Sequence, residues 1–432
     1  MSKEIVICSQ YLYPENCTTS NLLTAIGSGL HKRQWSVTGL AAPLSYHGRR
    51  KVPRRVEVPG GWWVRRVPST ALHRRSALGR IVNTLTLSAS MMLAALLSRR
   101  RVGWLVVTNP PVLPWVALVR RRLTGGPFIL LVHDIYPQSA EVTGHLKAGG
   151  WLSRLWNRLN RAVCRRADGV IVLGRDMERR MVEILGDRPP RRMTIIPNWS
   201  NIEDLDHVLR DPNPFRAQWS PGPDDVVFLY QGNLGYTADA ETLVAACRAV
   251  AGDPVHFAFF AAGHKLEEAK RALADCPRCH FMEYVPQEKM GQVLGSSDVG
   301  IVSLAEGATG YSVPSKLYPL LAAGLPILGV VSAESEVARV VEEERCGSCV
   351  RPGDGDGLVA AVRRFRAEPQ WRREMGRNAR RAYVEKYTYD KAMKAYDRFC
   401  SEVFRGAPHD ESVSSSLAHP DSVHRNIIKG PK

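Results

Sequence analysis

The strongest constraint on this chain is an alternation. Short, continuously apolar runs rich in β-branched residues recur along it, and each is followed by a longer stretch with helical spacing. In the first half the runs are Ile5–Cys8, Val37–Ala41, Trp104–Thr108, Phe128–Val132, Gly169–Leu173 and Thr194–Ile196. In the second half they are Val226–Tyr230, His256–Ala262, Phe281–Tyr284, Val299–Ser303 and Pro326–Val330. A run that is apolar at every position, and not at every second one, suits a strand buried on both faces, as in parallel sheets covered by helices. The expected class is therefore α/β and doubly wound, and the pattern occurs twice. A length of 432 residues accommodates two such domains. Open α/β sheets bind ligands beyond the carboxyl ends of their strands, so chemistry is expected in the loops after these runs, in a cleft between facing domains.

The boundaries follow from where the alternation stops. The first domain is expected over residues 1–197, a linker with Pro212, Pro214, Pro221 and Pro223 over 198–224, and the second domain over 225–370. Two helical patterns fill 371–405, the last expected to cross back to the first domain, and a serine-rich tail from 406 to 432 is expected to be disordered. Met-Ser-Lys-Glu runs directly into the first apolar run without a secretory signal pattern, and nine cysteines scattered over the chain suit a reduced compartment. A cytoplasmic location is expected. The longest apolar stretch, Ala77–Leu97, is interrupted by Arg80, Asn83, Thr84, Thr86, Ser88 and Ser90, which favours a packed or surface-lying helix over a membrane span.

Charge is divided unevenly. The formal net charge is +17, yet residues 1–200 hold 31 basic and 10 acidic side chains while the remainder holds 28 and 32. Between Asn16 and His133 a single carboxylate, Glu57, stands against 18 lysines and arginines. The first half should attract an anion: nucleic acid, a membrane surface or a phosphorylated substrate. Nucleic acid is disfavoured, because the arginine pairs lie on separate segments without aromatic interleaving.

Four loops carry the candidate residues. After the first run, Thr18, Thr19 and Ser20 can cap a helix, but capping leaves Glu15 unexplained. His133-Asp134 follows a buried run, where an imidazole beside a carboxylate suits proton transfer or the holding of a sugar hydroxyl; a structural pair is the alternative. Gln231-Gly232-Asn233-Leu234-Gly235 puts two glycines three apart before a helix from about Asp239, so backbone and ligand can come close and the helix N-terminus is expected to favour phosphate. The segment Gly307–Tyr318 places Gly310 in a polar loop and Pro314, Ser315 and Lys316 at the expected first turn of a helix ending at Gly324. Amides, hydroxyls and an ammonium there would cradle a diphosphate and neutralise a departing nucleotide. No dinucleotide fingerprint or phosphate-loop lysine motif occurs. Two C-x-x-C pairs, Cys276/Cys279 and Cys346/Cys349, are separated by 66 residues, far beyond the roughly 15 to 20 of a four-thiolate zinc site, and no metal is expected.

Taken in order, Tyr13-Pro14-Glu15, His133-Asp134-Ile135-Tyr136-Pro137, Pro197-Asn198-Trp199, Tyr230–Gly235, Pro314–Tyr318 before Ala322–Ile327, and Cys346-Gly347 before Pro352-Gly353-Asp354 form a series. The series resembles the GT-B-fold glycosyltransferases of family 4, in particular the L-fucosamine and colanic-acid type of bacterial surface polysaccharide synthesis. The resemblance implies two Rossmann-like domains and retaining, metal-independent transfer. A nucleotide-sugar donor, usually a UDP-sugar, would be bound by the second domain as a substrate, so that no cofactor is expected, and a lipid-linked or saccharide acceptor would lie in the first. It implies donor contacts from Gly232, Asn233, Gly235, Gly310, Pro314, Ser315 and Lys316, and acceptor or catalytic roles for Glu15 and Asp134. Three positions depart from the pattern. Pro319 stands where many relatives carry a ribose-binding glutamate, Asn16–Thr19 replace glycines, and Gly235–Leu243 lacks the customary arginine and lysine. A nucleotide-sugar epimerase of the same fold and a non-catalytic relative are the alternatives. The basic arginines from Arg65 to Arg101, including Arg74, Arg75 and Arg80, lie around Ala77–Leu97 and suggest a domain resting on the anionic inner face of the cell membrane.

Overall fold

The computed structural model describes residues 3–43, 52–70, 72, 77–200, 212–283, 285 and 287–405. Arg74, Arg75, the Arg80 side chain, residues 201–211 of the expected linker and the tail from 406 lie outside the described residues.

The first sheet has eight strands: β1 (Glu4–Cys8), β2 (Ser36–Ala41), β3 (Arg55–Val58), β4 (Trp62–Arg66), β5 (Gly103–Val107), β6 (Phe128–Leu131), β7 (Gly169–Val172) and β8 (Met193–Ile195). Their spatial order is β3-β4-β2-β1-β5-β6-β7-β8, and every pair is parallel except the β3–β4 hairpin. The second sheet has six parallel strands, β9 (Val226–Asn233), β10 (Val255–Ala262), β11 (Cys279–Met282), β12 (Val299–Ser303), β13 (Ile327–Val330) and β14 (Gly347–Val350), in the order β11-β10-β9-β12-β13-β14. Both are doubly wound. β5, β6, β7, β12 and β13 are buried at every position, as their unbroken apolar runs require.

Three strands escape the sequence reading. The β3–β4 hairpin turns at Gly60-Gly61, both at positive φ, and β4 alternates buried and exposed residues because only one of its faces meets the core. β14 is half-polar, and Gly347 is required where it crosses Ile327, since a Cβ would strike the Ile327 carbonyl. β9 also runs on to Asn233, so Gln231–Asn233 belong to a strand end and not to a loop.

The helix Tyr389–Arg405 leaves the second domain and buries Met393, Tyr396, Cys400 and Phe404 in the core of the first. Its grip is polar as well: Trp35 Nε1 donates to Asp397 (2.7 Å) and the Tyr389 hydroxyl to the Ala25 carbonyl (3.0 Å). Ala77–Leu97 forms one helix with Leu87, Met91 and Ala95 inward, while Leu78, Ile81, Leu85, Ala89, Leu93 and Leu96 form an exposed stripe at helical spacing. Among the described residues no helix is long and apolar enough to cross a membrane.

Candidate active site

In each sheet the strand order reverses at one point, between β1 and β5 in the first and between β9 and β12 in the second. Loops diverge on either side of such a point and open a crevice. The residues singled out in the sequence lie at these two crevices or beside them.

At the second crevice Gly232 has φ +98°, which favours glycine, and open space where a Cβ would stand. Gly235 is tight against Asn233, with a Cβ position 2.8 Å from Asn233 Nδ2, while Asn233 itself is exposed. Lys316, on the loop after β12, reaches across to β9. Its Nζ donates to the Tyr230 hydroxyl (2.7 Å) and lies 3.9 Å from the centre of the Tyr230 ring, and that hydroxyl donates to the Asn233 carbonyl (3.0 Å). Burial lowers the Lys316 ammonium to about 7 and raises the Tyr230 phenol well above its ordinary value. Sequence reasoning missed Tyr230 because a tyrosine ending a strand carries no signal of its own. Gln231 Oε1 and Thr309 Oγ1, both buried, have no hydrogen-bond partner among the described residues.

Two expectations fail here. The helix Leu317–Ala322 starts after Lys316, and the Leu317 and Tyr318 amides donate to the Pro314 and Ser315 carbonyls (3.3 Å each), so its first turn is not a row of free donors. The helix Ala240–Ala249 is capped by Asp239, which accepts from the Thr242 amide (3.0 Å) and the Gly353 amide (3.2 Å); that terminus is closed rather than open to phosphate.

At the first crevice the expected threonine and serine cap is also absent. The helix Thr18–Lys32 has Cys17 at its N-cap position without a side-chain cap bond, and Ser20 Oγ is buried without a partner among the described residues. Glu15 is buried beside Arg66, whose guanidinium donates to the carbonyls of Leu12 (2.8 Å), Tyr13 (2.5 Å) and Ala42 (3.2 Å). Burial lowers Arg66 to about 10, and the Glu15 charge opposes that shift. Arg66 therefore holds the loop carrying Glu15 in place. It comes from the unforeseen strand β4.

His133 and Asp134 follow β6, next to β5. Both backbone amides donate to Thr108 Oγ1 (3.1 and 3.2 Å). Burial pushes the His133 imidazole down to about 4, so it is neutral at pH 7. Burial raises the Asp134 carboxyl above its ordinary range, and a hydrogen bond from the Ser312 side chain pulls it partly back. That contact spans the cleft. Asp134 and Ser312 form an isolated antiparallel bridge, and the Ile135 amide donates to the Tyr311 carbonyl (2.9 Å). The loop that carries Lys316 is thereby bound to the strand end that carries Asp134. Gly310, at φ +80°, packs on the first domain: a Cβ would stand 2.5 Å from Arg180 Cγ and 2.9 Å from the Asp176 carbonyl. Contact between the domains accounts for this glycine without a donor.

The cysteine pairs remain apart. Cys279 lies against the thiols of Cys247 and Cys276, and Cys349 contacts the Gly329 backbone. Among the described residues no group of three or more His, Cys, Asp or Glu is arranged to hold a metal.

Two facing doubly wound domains, with loops meeting from the carboxyl ends of both sheets, define the GT-B class. Residues 21–199 match the glycosyl transferase 4-like domain and residues 225–368 match glycosyl transferases group 1. A Pseudomonas aeruginosa protein named as the glycosyltransferase WbjE is 34% identical over 273 residues, covering 62% of this chain and 67% of that one. The chain belongs to the family 4 GT-B glycosyltransferases, and of the readings left open by the sequence the transferase stands. Among solved structures, sucrose-phosphate synthase from Thermosynechococcus elongatus has a TM-score of 0.75 at 17% identity, covering 94% of this chain and all (100%) of that one. Anabaena Alr3699/HepE, solved in complex with UDP-glucose, has a TM-score of 0.67 at 14% identity, covering 92% and 99%. At these identities the likeness is one of fold.

Proposed function

We propose that this glycosyltransferase moves a sugar from a UDP-linked donor, held by the second domain, to a lipid-linked acceptor held by the first, in bacterial surface polysaccharide synthesis. Transfer retains the anomeric configuration and needs no metal. The observation that carries this reading is the Lys316 ammonium, held on Tyr230 at the β9–β12 crevice and tied through its own loop to Asp134 across the cleft.

In this reading the glycosidic C1–O bond to the diphosphate breaks and the acceptor oxygen bonds to C1 on the same face. The negative charge that collects on the departing UDP needs a cation in place of a metal, and Lys316 supplies it, with Ser315 and the backbone at Gly232 and Asn233 beside it. Gly235 keeps the turn narrow and Pro314 sets the approach of Ser315. The unpaired Gln231 and Thr309 oxygens offer further polar contacts to the nucleotide. Asp134 orients the acceptor hydroxyl, whose proton passes to the departing diphosphate oxygen as the C1–O bond breaks, and Glu15, fixed beside Arg66, faces the acceptor from the first loop. Membrane contact is supported by the exposed apolar stripe on Ala77–Leu97, with Arg99, Arg100 and Arg101 at its end.

The test is a screen of nucleotide sugars, read as nucleotide release with and without lipid-linked acceptors. Acceptor-dependent UDP release that Lys316→Ala abolishes is expected. Wild-type turnover by Lys316→Ala would remove the diphosphate assignment.

A further inference from the structure

The transfer chemistry leaves one buried charged cluster unused, and it bridges the cleft. The helix Arg175–Leu185 follows β7 and the helix Glu336–Glu343 follows β13, and the two meet with their N-termini opposed. Two positive helix ends should repel. Here each supplies an acid to the other. The Asp176 carboxylate accepts the Glu336 amide (3.0 Å), and the Glu336 carboxylate accepts the Arg175 amide (2.8 Å). The Arg175 guanidinium also donates to Glu336 through Nε and Nη2 (3.1 Å each), and through Nη1 to both carboxylate oxygens of Glu343 (2.7 and 2.9 Å).

Asp176 is 3% exposed and Glu336 6%, so the bonds these two carboxylates accept are shielded from water, and removing one partner while the interface stays closed would leave a buried acid without its donor. The approach needs Gly174, where a Cβ would stand 2.9 Å from Glu336 Cγ.

The same first-domain helix supports the loop of the second domain. Gly310 rests on the Asp176 carbonyl, and the Arg180 guanidinium lies 5.5 Å from the centre of the Tyr311 ring. Tyr311 in turn receives the Ile135 amide, one residue from the Asp134–Ser312 bridge. A continuous set of contacts thus runs from Glu336 through Arg175 and Asp176 to the loop that carries Lys316 and to the strand end that carries Asp134.

We infer that Arg175, Asp176 and Glu336 are positioning residues for transfer, forming an interdomain clasp of reciprocal helix caps that sets the separation of the donor and acceptor half-sites. The inference rests on the assignment of Lys316 to the donor and Asp134 to the acceptor. Breaking the clasp leaves each domain intact but widens the cleft, so donor binding to the second domain survives while transfer across the cleft does not.

The experiment compares the full chain with an Arg175→Met/Glu336→Gln double variant and with Arg175→Lys, which keeps the cation but not the fork. Small-angle scattering should show a larger radius of gyration for the double variant, with Arg175→Lys nearer the wild type. Affinity for UDP, used as the probe, should stay within about twofold while kcat for nucleotide release falls by about tenfold, the size of an ordinary coupling between sites. Arg248→Met, which breaks the exposed ion pair with Asp275 inside the second domain, should change neither scattering nor kcat. Scattering and kcat unchanged in the double variant would overturn the clasp, and so would a loss of UDP affinity in step with kcat. If the wild type fails to bind UDP, the donor assignment fails, while the scattering comparison still decides whether these residues hold the domains together.

Discussion

At the residue scale the decisive group is Lys316. Its ammonium, lowered to about 7 by burial, is a proton-dependent feature of the free enzyme. If the charged form receives the diphosphate, kcat/KM for the donor is high below about pH 7 and falls as the pH rises through that value, since kcat/KM reports the free enzyme. Lys316→Arg, whose charge does not titrate there, should remove the alkaline limb. Stability responds in the opposite direction: the unfolded lysine holds its proton up to its ordinary 10.5, so the penalty for burying this side chain shrinks as the pH rises from about 7 towards 10.5. With Asp134 on the acceptor side, as the proposed function has it, Asp134→Asn should lower kcat far more than it weakens donor binding, as separate titrations of UDP and measurements of turnover would show. The sequence indicated Lys316 and Asp134 because each follows a buried strand. It assigned no role in the site to Tyr230, Ser312 or Arg66, whose contacts arise only when distant segments meet.

At the scale of elements, unbroken apolar runs were legible and one-sided or polar strands were not. The period-two pattern at Trp62, Val64 and Arg66 after Gly60-Gly61 did mark a hairpin, but its inward arginine disguised a core-facing position. β14 lacks an apolar run because it lies at a sheet edge. Helix starts were located only to within about three residues and their caps were misjudged, because whether an amide is free depends on which side chain arrives there. Asp239 closes one terminus, and no side chain closes the terminus at Cys17. The helix Tyr389–Arg405 shows the energetic side. Tyr396 is fully buried between this helix and the first domain, with Trp199 at 6.2 Å, so Tyr396→Ala should cost about 3–5 kcal/mol, seen as a lower unfolding temperature of the first domain.

At the scale of the whole molecule the asymmetry of charge falls at the division between the two sheets. The basic half carries the exposed stripe from Leu78 to Leu96, and that combination favours an anionic bilayer over a soluble polyanion. Co-sedimentation with vesicles containing anionic lipid should succeed at low salt and weaken as salt rises. Leu85→Asp/Leu93→Asp should abolish it without changing UDP affinity, and equal binding by the double variant would place the contact elsewhere. In the proposed function the second domain delivers the diphosphate of the donor to Lys316, opposite Asp134. The most direct test of that delivery is a crystal structure of the full chain with UDP. A phosphate oxygen is expected about 2.7–3.2 Å from Lys316 Nζ, at the crevice between β9 and β12. UDP bound away from that crevice, with the ammonium still on the Tyr230 hydroxyl, would contradict it.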